Sequence, residues 1–193
     1  METFPRVIFR NKTGGGKEKM SLGLIHKKAF LDNLFYQVGK QNYDFFLAGT
    51  FKLEDGSNGF TKWKKFSECV FPIDYDGSCA DWKTQKFFEQ INQRQILPFE
   101  IVLDVEEKKQ IKLIIKQLEK WKWDYSIWTA GKGYHIHIKG NKDMTKELKI
   151  ATIKLLGTDA QKDSDKCLIA LENVPHWKSG KVKREISKEE ILK

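Results

Sequence analysis

Between residues 99 and 139 the hydrophobic period of the chain switches from strand to helix and back to strand, and few architectures accept that order. FEIVLDVE (residues 99–106) is a near-continuous apolar run ending in acids, which predicts a buried strand. The next stretch, EKKQIKLIIKQLEKW, places Ile111, Ile114, Ile115 and Leu118 on one face of a helix. YSIWTA (125–130) and GYHIHIK (133–139) then read as strands, joined by a tight turn at Gly131 and Lys132. A strand, a helix and two more strands at this spacing require a sheet with a helix packed on it, so the fold class is α+β.

The flanking segments are less regular. KTGGGKEK near the start reads as a loop or arm, and it lacks the GxxxxGK[ST] spacing of a phosphate-binding P-loop. LIHKKAFLDNLFY (24–36) has helical spacing, FFLAGTFKL (45–53) reads as a strand closed by the turn EDGSNG, and a second helix is expected over 80–95. Asp74 and Asp76 in VFPIDYDGS resemble a metal-binding pair, but Pro72 and Gly77 beside them make that stretch a turn. Beyond the strand region, TKELKIATIKLL (145–156) predicts a helix with Leu148, Ile150, Ala151 and Leu155 on its apolar face, and CLIAL (167–171) a short strand. From Lys178 the chain reads as a basic arm plus a short helix. The division that follows is an N-terminal α/β unit over 1–97 and a sheet unit with a basic C-terminal segment over 98–193, forming one compact domain. Trp121, Trp123 and Trp128 are expected to pack in the core or hairpin rather than to stack on bases.

Thirty-five Lys and Arg against 26 Asp and Glu leave a formal charge of +9, which favours a polyanionic partner, nucleic acid first. Three cysteines with no CxxC pair support neither a disulfide framework nor a structural zinc site. No apolar run is long enough for a signal peptide or a membrane span, so an intracellular protein with no membrane partner is expected.

The residues with chemical potential cluster in the strand region. Asp104 and Glu106, two apart at a strand end, project to one face, where paired carboxylates suit a hard divalent cation; taken alone they are also an ordinary exposed strand end. Gly131 and Gly133 let a backbone approach a ligand closely, Lys132 is a point charge suited to phosphate, and His135 and His137 share a face of the next strand. The plain alternative is a glycine turn followed by two histidines on a polar face.

LDVE, the helix, SIWTA and then GKGYHIHI together resemble the first two motifs of the archaeo-eukaryotic primase superfamily, a DxD or DxE on one strand and a small-residue-x-His element in a Gly-rich hairpin. That family's third motif, an aspartate some way before a segment of the form RLxRxPxSxHxKTG, is similar to GTDAQKDSDKCLIALENVPHWKSGK here. The resemblance covers roughly residues 99–181. Cys167 and Ala170 stand where that form carries arginines, and Gly133 where serine is usual.

What the resemblance implies is an RRM-like catalytic sheet with flanking helices, packed against the N-terminal unit, and template-directed nucleotidyl transfer by a DNA primase or primase-polymerase. Asp104, Glu106 and Asp159 would hold two Mg²⁺ or Mn²⁺ ions, with Asp163 and Asp165 as alternatives for the third carboxylate. Lys132, Gly133, His135, His137, His176 and Lys178 would bind the nucleotide. Single-stranded DNA and nucleoside triphosphates would be the partners, with a helicase or a large primase subunit completing the machine. Two other readings stay open: a non-catalytic nucleic-acid-binding module of the same fold, and a single-strand endonuclease using His-hydrophobic-His to bind metal. The second needs a catalytic tyrosine on a later helix, and no tyrosine follows Tyr134.

Overall fold

The computed structural model describes residues 44–68, 87, 89–130, 132–140, 144–159, 162, 167–176 and 178–193. The helix expected at 24–36, the Gly/Lys segment, the Asp74–Asp76 turn, Gly131, Asp163 and Asp165 lie outside them.

The strand region folds as its periodicity predicts: β6 (Glu100–Val105), α1 (Lys108–Trp121), β7 (Tyr125–Ala130) and β8 (Gly133–Lys139). Strand β8 lies between β6 and β7, antiparallel to both, so β6 and β7 are parallel with a strand inserted between them. Ile101, Leu103 and Val105 of β6, with Ile136 and Ile138 of β8, face the buried stripe Ile111, Ile114, Ile115 and Leu118 of α1. These side chains form the main core. Helix α2 (Lys146–Leu156), capped at Thr145, closes the same face of the sheet.

A second four-stranded sheet has the order β4-β1-β5-β9, built from β1 (Phe46–Ala48), β4 (Lys64–Lys65), β5 (Gln93–Gln95) and β9 (Leu168–Ala170). A two-stranded ribbon, β2 (Thr50–Lys52) and β3 (Asn58–Phe60), rises between β1 and β4. Ile96 and Ile169 pack on Val102 of β6, on the face opposite α1, and form a second, smaller core.

The fold is α+β, but four sequence expectations change. The order β6-α1-β7-β8-α2-β9 is that of a split β-α-β fold. An RRM-like sheet would seat its last strand beside β6; here β9 pairs with β5, and the fourth position of the first sheet is filled by β10 (Glu185–Ile186) beside β7. The chain after residue 98 therefore contributes to both sheets. Second, Gln93–Gln95, expected to end a helix, form a strand, because the alternation sends Arg94 inward to two buried carboxylates. Third, α2 turns a different face to the core: Lys149, Thr152 and Ile153 are buried, whereas Leu148 and Leu155 are 43% and 71% exposed. Lys149 covers apolar surface with its stem and donates from Nζ to the Leu97 carbonyl at 3.0 Å, which seats a stripe that simple hydrophobicity ranks as polar. Fourth, the basic arm packs on the domain: Pro175 and Val182 close a hairpin and Ile186 anchors β10 in the core, while the short helix expected after it is present as α3 (Lys188–Leu192), held by Ile191.

The three tryptophans do pack: Trp128 is buried, and Trp121 and Trp123 lie against the main core. Among the described residues, no helix is long and apolar enough to cross a membrane.

Candidate active site

Alternation along β6 and β8 divides the first sheet into an apolar face under the helices and a polar face toward the second sheet. Cross-strand register then pairs Asp104 with His135, Val102 with His137, and Glu100 with Lys139. Gly133 begins β8 because nothing larger fits: a Cβ there would lie 2.4 Å from the Val105 carbonyl oxygen and 2.9 Å from the Glu106 Cα. The missing side chain lets the hairpin lie flush against the Asp104–Glu106 strand end.

At the junction of the two sheets is a cleft of about 650 Å³. Asp104, Glu106, Lys132, Gly133 and His135 form one wall. Asn92 and Gln93, with Leu168 and Ala170 of β9, form another. Lys162 and the 176–180 turn, through His176, Lys178 and Ser179, complete it. In that turn His176 Nδ1 accepts from the Lys178 backbone N–H at 3.3 Å.

The cleft is electrostatically uneven. Asp104 Oδ2 lies 3.7 Å from His135 Nε2 and 4.0 Å from Lys162 Nζ. Burial pushes the Asp104 carboxyl upward, but the contact with His135 and the charges of Lys162 and Lys183 outweigh it and hold the pKa below the ordinary value. Burial also holds the His135 imidazole below its usual value, against the pull of Asp104, so at neutral pH the ring is uncharged. Its Nδ1 is buried with no hydrogen-bond partner. An orphaned buried nitrogen is costly, and such atoms mark places where a ligand or water completes the network.

Beneath the cleft the polar face is saturated instead. Arg94 grips Glu100 through Nη1–Oε1 at 2.6 Å and Nη2–Oε2 at 3.2 Å, and Glu172 through Nε–Oε2 at 2.9 Å and Nη2–Oε1 at 2.7 Å. Lys183 donates from Nζ to Glu172 Oε1 at 3.3 Å and to the Ala170 carbonyl at 2.9 Å. His137 lies among them, with Nε2 at 3.2 Å from Lys183 Nζ and Nδ1 at 3.3 Å from Glu172 Oε1. Burial, with the nearby positive charge of Lys183, holds this ring well below its ordinary pKa. A neutral imidazole that carries its proton on Nδ1 donates to Glu172 and accepts from Lys183, while Arg94 Nη2, 3.4 Å from the same Nδ1, spends its own N–H groups on Glu100 and Glu172.

The residues expected at the site therefore divide. The cleft gathers Asp104, Glu106, Lys132, Gly133, His135, His176 and Lys178 from three separate segments. His137 is 1% exposed and engaged in the buried cluster. Asp159, just past α2, is exposed and is not among the cleft's lining residues. The sequence reading missed Lys162, Arg94, Glu172 and Lys183. The available signal was Glu100 and Glu172 at the ends of apolar strand runs, since a carboxylate in such a position implies a buried cationic partner.

Among the described residues no group of three His, Cys, Asp or Glu side chains is arranged to hold a metal ion. Asp104 and Glu106 remain a donor pair of the kind Mg²⁺ uses, because that ion is commonly bound by one or two carboxylates with substrate phosphates and water supplying the rest. The chain matches no protein-family model, and no curated protein matches it.

Proposed function

We propose that the protein is a template-directed nucleotidyltransferase, a DNA primase or primase-polymerase acting on single-stranded DNA with nucleoside triphosphates. The observation that carries this reading is the cleft itself: two carboxylates, a neutral buried histidine with an orphaned nitrogen and several cationic side chains converge there from segments far apart in sequence. Acids alone would repel a polyphosphate, and lysines alone would hold one without chemistry. The combination suits a triphosphate bridged to carboxylates by a divalent cation.

In this reading Asp104 and Glu106 would hold Mg²⁺ or Mn²⁺, with a third carboxylate, Asp159, Asp163 or Asp165, completing a two-ion site. When bound, the ions supply Lewis-acid activation of the 3′-hydroxyl and neutralise charge on the triphosphate. The 3′-oxygen would attack the α-phosphorus as its proton passes to solvent, the bond to the bridging oxygen would break, and pyrophosphate would leave; no protein nucleophile takes part. Lys132 and Lys178 neutralise the β- and γ-phosphates, joined by His176. His135 would donate its single N–H to a phosphate oxygen, and Gly133 would admit the nucleotide to the strand end. The resemblance of LDVE, GYHIHI and HWKSGK to the primase motifs supports the same assignment.

A non-catalytic binding module of the same fold is the second reading, favoured by Asp159, which is exposed and is not among the residues lining the cleft. The endonuclease reading is weakened by His137, whose ring is sealed between Lys183 and Glu172, leaving one histidine of the pair to the cleft.

The test is extension of single-stranded templates with labelled ribo- and deoxynucleotides and Mg²⁺ or Mn²⁺, with and without a primer. Metal-dependent products that fall about 10²–10³-fold in Asp104→Asn are expected. Template binding without any product would leave the binding module.

A further inference from the structure

On the face of the second sheet that reaches the cleft, Ala48 is 2% and Thr50 3% exposed, and beyond them the outer edge of the sheet carries an exposed aromatic and cationic surface. Directly opposed residues in antiparallel strands share a face. Ala170 opposes Gln93, Gln93 opposes Ala48, and Phe46, two residues from Ala48, opposes Lys65. Gln93 and Ala170 line the cleft. From β9 to β4 the band crosses three interstrand spacings, about 14 Å.

At its outer edge Trp63, 48% exposed, packs on Phe46 with ring centroids 6.2 Å apart, and Lys65 Nζ lies 6.0 Å from the Phe46 ring centroid. The β2–β3 ribbon adds to the same margin. Thr50 donates from Oγ1 to the cleft residue Gln93 at 3.2 Å, and its cross-strand partner on the same ribbon face is Phe60, 71% exposed. Lys52 and Asn58, the next pair on that face, are exposed too. Lys65 shares the face of Phe46, whereas Lys64, opposite Leu47, takes the other face with its Nζ 4.5 Å from the Phe87 ring centroid; the acids of the ribbon, Glu54 and Asp55, are confined to its tip.

A monomer gains nothing by holding Phe60 and Trp63 in water. Two exposed aromatic side chains with lysines beside them, in a chain of charge +9, match the pattern that binds single strands: planar surfaces for bases and ammonium groups for phosphates. We propose that this edge surface is a docking track for single-stranded nucleic acid, with bases stacking on Trp63 and Phe60. Identifying the strand as the template rests on the nucleotidyl-transfer reading; the docking itself does not.

The test measures fluorescence anisotropy of a labelled oligothymidylate of about 16 nucleotides with the full chain, without nucleotide or added metal. Phe60→Ala/Trp63→Ala is compared with Trp63→Phe, and with Leu155→Ala as a control on the helix side of the molecule. The expected result is binding at least about tenfold weaker in the double variant, near-normal binding in the other two, and a cooperative unfolding transition well above the assay temperature throughout. Lys65→Gln should lower the slope of log K against log salt by about 0.7. Equal affinity of the double variant and the unmodified chain, or no binding by the unmodified chain, overturns the track. Extension assays with Asp104→Asn separate the two ideas: Asp104-dependent synthesis with unaltered oligothymidylate binding by the double variant sinks the track alone. Aromatic-dependent binding without synthesis sinks the transferase alone.

Discussion

The polar face of the first sheet carries two charged regions only a few residues apart, and they behave oppositely. Around Arg94, Glu100, Glu172 and Lys183 two cations meet two carboxylates, the hydrogen bonds are met, and the side chains are 1–2% exposed. Around Asp104 and His135 the contacts are long, one nitrogen is orphaned and the surroundings open to water. The two histidines mark the boundary, stacked with centroids 6.0 Å apart. His137 belongs to the closed region and His135 to the open one. A balanced, satisfied cluster joins the two sheets; an unbalanced one leaves capacity for a ligand.

That contrast breaks most visibly at Glu172. Glu172→Gln leaves Arg94 and Lys183 short of a buried counter-charge, and the cost should be about 3–5 kcal/mol. Urea unfolding would show it, and a loss below 1 kcal/mol would mean that the cluster is not holding the sheets together. Gly133→Ala comes next: its methyl must push the Val105–Glu106 backbone aside, for about 1–3 kcal/mol by the same measurement, together with loss of template extension. Normal activity in this variant would remove the reason given for the glycine.

The pH dependence sharpens the comparison further. His137 is held well below its ordinary value of 6.5 and Glu172 well below 4.5, in each case against or because of deep burial: burial itself lowers the imidazole, while Arg94 and Lys183 overcome it for the carboxyl. In both cases the unfolded chain takes up a proton that the folded chain refuses. Stability should therefore fall as pH drops below about 6.5 and fall further below about 4.5. Lys183, lowered by burial from 10.5 to about 8, has the same sign on the alkaline side, contributing a rise in stability between those values. Chemical-denaturation midpoints across pH would read this, and His137→Gln should flatten the first decline.

The smallest stability effect is expected in the open region. Asp104→Asn should change unfolding free energy by no more than about 1 kcal/mol, since the carboxylate is partly exposed and its partners are distant, while extension activity is lost. A large destabilisation would place Asp104 with the structural cluster after all.

Much of this was legible from pattern. The boundaries of β7 and β8, the buried stripe of α1 and the pairing of Asp104 with the hairpin follow from period-two and helical spacing. So does the convergence of Asp104, Glu106, Lys132 and His135, because a hairpin beside a strand fixes which residues are neighbours. His135 and His137 looked equivalent for the same reason: alternation assigns a face but not what covers it. The orientation of α2 was misread because Lys149 counts as polar by composition, although its stem packs as an apolar side chain.

Local sequence determined the α+β class, the strand–helix–strand unit and the polar face, because these depend on contacts within a few dozen residues. Only the tertiary structure decided that β9 would leave the first sheet for β5, that the C-terminal basic segment would supply Lys183 to the interior, and that Arg94 would meet Glu172. Those contacts join residues as many as 78 positions apart, and no periodicity carries information over that distance. They are selected by the requirement that a buried charge find its partner, and that requirement takes effect only once the two sheets close on each other.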